Sequence, residues 1–176
     1  MSILNLLKRN QENKKSTTAE TETVRKIIEA LDQIETERAK FIAAFAYLLS
    51  RVARADLHIS QLETRTMEQI IMDRSHLPEE QTAIVVQMAK TQSILFGGTE
   101  NFLVSREFNS IASQEQKMGL LDCLYAVASA EEDISTIEDN EISQIADELR
   151  IEHRDFISVR SRYREHLAVL KNSQTL

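Results

Sequence analysis

The sequence predicts an all-α fold, a single compact helical domain of about seven or eight helices. Its 176 residues include only 3 Gly and 1 Pro, which leaves little material for the tight turns of a sheet protein. Apolar residues recur at helical spacing along most of the chain. The pattern Ala-acid-x-x-Ile-Ser-x-aliphatic-Glu occurs at residues 55–63 and again at 130–138. This duplicated motif predicts two pseudo-twofold-related repeats, about 38–96 and 113–170.

Residues 1–23 are predicted to precede this domain, which then spans residues 24–171. Residues 1–9 form a short apolar hook that carries Ile3, Leu4, Leu6 and Leu7. Basic residues follow these side chains rather than precede them, an order that argues against a secretory signal. The polar run after the hook is too poor in apolar residues to order itself and is expected to be a flexible linker. The hook is therefore expected either to fray or dock on its own domain, or to bind a partner.

Two helices are predicted before the first motif. The first starts at Val24 and repeats apolar residues every three or four positions. The second runs from about Glu37 to Ala55 and has the clearest apolar stripe in the chain. This stripe consists of Phe41, Ala44, Phe45, Leu48, Leu49, Val52 and Ala53.

Two further helices are predicted between the first motif and the middle of the chain. One continues from the motif to about Arg74. The next starts at Pro78, because Pro suits a first helical position and two acids follow it, and it extends towards Leu95. The pair Gly97 and Gly98 is then predicted to break the chain at its midpoint.

The second half repeats the order of the first. A helix containing Phe102 and Phe108 leads into it, and the earlier stripe returns as Leu120, Cys123, Leu124, Val127 and Ala128. After the second motif, a helix is marked by Ile142, Ile145, Ala146 and Leu149, and a last one by Phe156, Val159, Tyr163, Leu167 and Leu170. Cys123 is the single cysteine and is predicted to be a buried, unreactive thiol.

Composition argues against several function classes. The formal net charge of −7 does not suit a nucleic-acid-binding face, which has to be basic. No apolar run approaches the roughly 18 residues of a membrane span, so a cytoplasmic protein is expected. The four histidines lack the spacing of a zinc site, and no phosphate-binding loop or nucleophile elbow is present. The sequence is therefore interpreted as that of a protein that is not an enzyme. No cofactor is expected, with a divalent cation as the one alternative left open.

Each motif contains a capping box, the pattern Ser-x-x-Glu at a helix start. Ser60 with Glu63, and Ser135 with Glu138, are expected to exchange hydrogen bonds with the first free backbone N–H groups of a helix. Helix capping is the simplest role for all four side chains.

The first acid of each motif is harder to explain. Asp56 and Glu131 follow the end of a helix, where the helix dipole disfavours negative charge. Arg51 or Arg54 could pair with Asp56. No Lys or Arg lies between residues 129 and 149, although eight acids do. These acids are expected to form a solvated face, a patch for the Arg-rich last helix, or a site for a hard cation such as Ca²⁺ or Mg²⁺.

The duplicated motif resembles the pattern Ala-Asp-Gly-x-Ile-Ser-x-x-Glu of the TerB-like family, which takes its name from a tellurite-resistance protein. The resemblance covers about residues 38–165, and a similar domain occurs in membrane-anchored DnaJ-type co-chaperones. It implies an all-helical domain linked to stress or metal-oxyanion response, with acidic residues suspected of binding metal. Carried over to this chain, the metal-ligand candidates are Asp56, Glu63, Glu131 and Glu138. Leu57 and Glu132 stand where the family pattern has Gly.

Two functions of different classes follow. The first is an interaction module that holds an unknown protein partner through its acidic second repeat, with Glu131, Glu132 and Asp133 as the contact residues, or through the cleft between the two halves. A homodimer is one form of such an interaction. The alternative is a domain that binds or senses a divalent metal in a stress response.

Overall fold

The computed structural model describes residues 22–31 and 34–171. This part of the chain contains eight α-helices and no β-strand beyond one isolated bridge between Ile134 and Leu167, so the predicted all-α class is confirmed. The helices are α1 (Glu22–Glu29), α2 (Thr36–Ala53), α3 (Gln61–Ser75), α4 (Glu79–Ile111), α5 (Gln114–Ala128), α6 (Thr136–Glu148), α7 (His153–Arg162) and α8 (Ala168–Lys171). Short 3₁₀ turns occupy Ser129–Glu131 and Arg164–His166. Residues 1–9 and most of the predicted linker lie outside the described residues.

Helix α2 lies at the centre and packs against α1, α3, α4, α5 and α6. Its predicted apolar stripe is confirmed, with Phe41 at its partly buried edge. Burial extends around the helix to Ala43, Ala46 and Tyr47, because small side chains on the opposite face let a neighbouring helix approach closely. A helix buried on several sides forms the middle of one core, which also contains the Cys123 thiol on α5.

The predicted break at Gly97 and Gly98 is wrong. Helix α4 runs through both glycines as one element of 33 residues, and neither glycine has a positive φ. Gly97 is buried, and a Cβ atom there would lie 3.0 Å from Nη1 of Arg54. The glycine therefore makes room for a guanidinium group rather than ending the helix. No helix of the described residues combines the length and apolar character that a membrane crossing requires.

Local backbone features recur in the two halves. Leu57 and Glu132, at the same position of the two motifs, have φ values of 70° and 81°. His76 and Arg150, which end α3 and follow α6, have φ values of 54° and 57°. These recurrences agree with a duplicated unit, while the pseudo-twofold relation of the halves stays a prediction.

Candidate functional site

Both capping boxes are present. The Ser60 hydroxyl accepts the N–H of Glu63 at 3.0 Å, and the Glu63 carboxylate accepts the N–H of Ser60 at 2.8 Å. The second copy repeats this with Ser135 and Glu138, at 3.2 Å and 2.8 Å. The predicted capping role of the two serines and two glutamates is confirmed, and it fixes each glutamate side chain at the first turn of its helix.

The two capping glutamates are buried and close enough to influence each other. Burial raises the pKa of Glu63 to about 7, against the hydrogen bonds from Ser60, and the charges of Glu138 and Glu131 raise it further. Burial likewise raises the pKa of Glu138, to which Asp56 and Glu131 add. The charge of Glu131 thus raises the pKa of both capping glutamates, one from each motif.

We call Asp56, Glu63, Glu131 and Glu138 the acidic junction, since it contains one pair of acids from each motif. The turn Ser129–Glu131 packs against α3, which brings the two motifs together. Within the described residues, no ion pair with Lys, Arg or His is formed by any of the four. The carboxylates of the junction therefore have no salt-bridge partner in the part of the chain that the structure describes.

Three exposed aliphatic side chains flank the acidic junction in sequence. Leu57 follows Asp56. Its side chain is 82% exposed, and its backbone adopts a positive φ. Leu62 and Ile137 occupy the same motif position, directly before the capping glutamates, and are 51% and 56% exposed. A single exposed aliphatic residue is ordinary, but here the same motif position is aliphatic and exposed in both copies.

Asp56, Glu132 and Asp133 each make a local contact. The Asp56 carboxylate accepts the N–H of His58 at 2.9 Å, which closes the loop after α2. Asp133 pairs with Lys171, and the carbonyl oxygen of Glu132 contacts Nδ1 of His166 at 2.6 Å. The predicted contact residues Glu131, Glu132 and Asp133 are all exposed. The last two also contact the C-terminal segment, at His166 and Lys171.

The expected pairing of Asp56 with Arg51 or Arg54 does not occur. Arg54 donates instead to the carbonyl oxygen of Ser93 at 2.7 Å. Arg51 is buried and pairs with Glu141 and with Glu148, the latter at 2.6 Å. Two of the eight acids between residues 129 and 149 therefore share one base from the first half.

One acid does pair with the Arg-rich last helix, as one of the sequence alternatives proposed. Asp139 accepts three hydrogen bonds from Nε and Nη2 of Arg160, at distances from 2.6 to 3.1 Å, and one from the Tyr125 hydroxyl at 2.9 Å. This buried carboxylate serves the packing of α5, α6 and α7 rather than the surface.

A cavity of about 150 Å³ lies beside the first motif. It is lined by Arg51, Arg54, Ala55, Leu57, Ser93, Asn101 and Glu141. Small-molecule and cofactor pockets usually enclose about 300–1,000 Å³, so this space suits one side chain or small polar group rather than a cofactor.

The described residues contain no group of three or more His, Cys, Asp or Glu side chains arranged to hold a metal ion. Carboxylate oxygens are the ligands that Ca²⁺ and Mg²⁺ prefer, but these ions need several of them at about 2.0–2.6 Å. The acidic junction has the right donor chemistry without that geometry. The metal role of its four residues stays a prediction.

Two features of this region are missed by the sequence interpretation. The first is Arg51, which lies between Leu49 and Val52 of the apolar stripe of α2. A charged residue among buried positions of a helix is the signal that could have identified it. The exposure of Leu62 and Ile137 has no such signal, because an aliphatic residue in the first turn of a helix is ordinarily assigned to the core.

A family model described as "Tellurite resistance protein TerB" matches residues 41–161, a span that contains both motifs. A comparison with curated proteins gave no match, and neither did a comparison with solved structures.

Proposed function

The chain belongs to the TerB family, and we propose that it serves as a non-enzymatic protein-interaction module in a bacterial stress response. The observation that supports this most is the exposed aliphatic residue in both motif copies, Leu62 and Ile137, each directly before a buried glutamate. Apolar side chains at an interface centre supply affinity, and charges around them select the partner.

The partner segment that fits this surface carries both apolar and basic side chains. Apolar groups would cover Leu57, Leu62 and Ile137, and a Lys or Arg would approach the carboxylates of the acidic junction. Burial is the main cause of the raised pKa of Glu63, and such a cation would offset the smaller contribution from the charges of Glu138 and Glu131. The backbone of Leu57 is consistent with this role, because strained conformations of exposed residues cluster at functional sites.

A comparative pull-down tests this proposal. The parent chain, the double variant Leu62→Ser/Ile137→Ser and the control Ile157→Ser are each used as bait in cell extract. Ile157 lies on α7 and is also exposed, so its variant removes a similar apolar area elsewhere. The expected result is a protein captured by the parent and by the control but lost from the double variant, with capture weakening as salt rises. Equal capture by all three would contradict the proposal.

A second candidate function is divalent-cation binding, favoured by the carboxylate chemistry of the acidic junction. Calorimetric titration with Ca²⁺ or Mg²⁺ tests it, and no heat at millimolar metal would end it. Replacing Glu131, Glu132 and Asp133 with Gln or Asn separates the two functions. Under metal binding the cation response disappears, whereas under partner binding only the capture of the partner changes.

A further inference from the structure

The middle of α4 presents an apolar face that the described residues do not cover. Ile94, Leu95 and Phe102 are each more than half exposed, and Phe96 is exposed at its edge. Leu95, Gly98 and Phe102 follow one another at intervals of three and four on one side of the helix. A Cβ atom at Gly98 would meet nothing within 4 Å, so the space above it is open. We call Ile94, Leu95, Gly98 and Phe102 the apolar face of α4, since Phe96 lies about 100–160° further around the helix.

This face is nearly free of charge in a protein that is 28% charged. Between residues 83 and 99 of α4 the single charged side chain is Lys90, which donates to the Thr64 hydroxyl on α3 at 3.0 Å. Exposed apolar patches without charge usually mark a surface that something else covers.

The described chain starts against the same stretch of α4. The N–H of Thr23, at the beginning of α1, donates to the Glu100 carboxylate at 3.1 Å. The Lys26 ammonium lies 5.1 Å from the centre of the Phe96 ring. Glu100 and Phe96 lie about 100–160° around the helix from Leu95 and Phe102, so whatever precedes residue 22 leaves the domain at the level of the uncovered residues but on another side of α4.

We propose that residues Ile3–Leu7 of the same chain cover the apolar face of α4. These residues supply four large aliphatic side chains, and the segment between them and Glu22 is polar. An unstructured chain of this length has a root-mean-square span of about 20 Å. A helix with its side chains is about 10–12 Å across, so a chain of this length can pass from the Thr23 side of α4 to the apolar face.

The occupant is an intrachain segment rather than a second copy because of effective concentration. A short flexible tether holds its end at about millimolar concentration near the attachment point. A second copy at micromolar concentration competes for the same face at roughly a thousandfold disadvantage. This docking is independent of the motif surface proposed above.

Tryptophan fluorescence tests the docking directly, because the chain contains no Trp. Leu4→Trp is placed in the full chain as a single probe. The same probe is combined with Leu95→Ser/Phe102→Ser, which removes the face, and with Ile157→Ser as the matched control. All the replaced side chains of α4 and α7 are exposed, and thermal unfolding by circular dichroism checks that each variant folds.

The expected result is emission shifted to shorter wavelength and protected from acrylamide in the probe protein and in the Ile157→Ser control. Both effects should be lost in the Leu95→Ser/Phe102→Ser variant. In the probe protein they should not change between about 1 and 100 μM protein, while light scattering reports a monomer. Solvent-like emission in every variant would overturn the proposal. So would a shift that vanishes on dilution together with the mass of a dimer, because a second copy would then be the occupant.

Discussion

Replacing Arg51 with Met should destabilise the fold strongly. The Arg51 side chain is 2% exposed and holds Glu141 and Glu148 of α6, together with the Ser105 hydroxyl of α4 at 3.0 Å. Burial opposes its charge, but the bonds to Glu148 and the charge of Glu141 raise the pKa of Arg51. Met fills a similar volume and leaves two carboxylates without a cation.

The expected loss follows from the cost of breaking a buried ion pair, about 3–5 kcal/mol in the free energy of unfolding. In a chain of this size each kcal/mol lowers the melting temperature by about 2–4 °C, so a drop of roughly 6–20 °C is expected. Urea unfolding followed by far-UV circular dichroism measures the free energy.

The matched control is Arg162→Met. Arg162 pairs with Asp122 at 3.0 Å, and both side chains are exposed, so this change should cost less than about 1 kcal/mol. The difference between Arg51→Met and the parent should also shrink below about pH 4, where protonation removes the stranded charges. Equal losses for the two arginine variants, or a loss from Arg51→Met that does not depend on pH, would refute the reasoning.

Three further changes are predicted to alter stability. Glu132→Gly should raise the free energy of unfolding by about 1 kcal/mol, because φ 81° and ψ −51° strain a side chain there. Gly98→Ala should stabilise α4 by up to about 1 kcal/mol, whereas Gly97→Ala should gain less or lose, since its Cβ would crowd a guanidinium nitrogen at 3.0 Å. For Glu63 the folded pKa of about 7 exceeds the usual 4.5, so the folded state binds the proton more tightly. Stability should therefore fall as pH rises from 4.5 to 7 and then level off, and Glu63→Gln should lose this fall.

Thermal and urea melts over a pH series measure all three. A destabilised Glu132→Gly variant would contradict the assigned strain. Equal effects of alanine at Gly97 and Gly98 would show that the guanidinium adjusts freely. A pH profile that is the same with and without Glu63 would show that this carboxyl titrates normally.

The helices and their caps follow from short-range information, which is why the sequence predicts them well. The stripe on α2 and the boxes at Ser60 and Ser135 depend on residues within one or two turns. The fold class and most helix positions can be deduced at this range.

Gly97 and Arg51 show why the rest could not be deduced. The intrinsic cost of glycine predicts a break in α4, but a guanidinium from another helix occupies the space that a side chain would need. The partners of Arg51 lie on α6, far along the chain, while the nearer Asp56 is bonded within its own loop. Local spacing contains no information about either contact.

The candidate site divides in the same way. The motif identifies Glu63 and Glu138 as caps from sequence alone. That their carboxylates raise each other's pKa depends on how the halves pack. The exposure of Leu62 and Ile137 also depends on how the halves pack, and this exposure is what assigns them to a surface rather than to the core.

Carboxyl-carbon NMR titration of Glu63 tests the central claim that the two motifs share one acidic junction. The structure predicts that Glu63 titrates with a pKa of about 7 and that Glu138→Gln lowers this value, because a neighbouring negative charge is removed. A Glu63 pKa near 4.5 that does not respond to Glu138→Gln would show that the two motifs act separately.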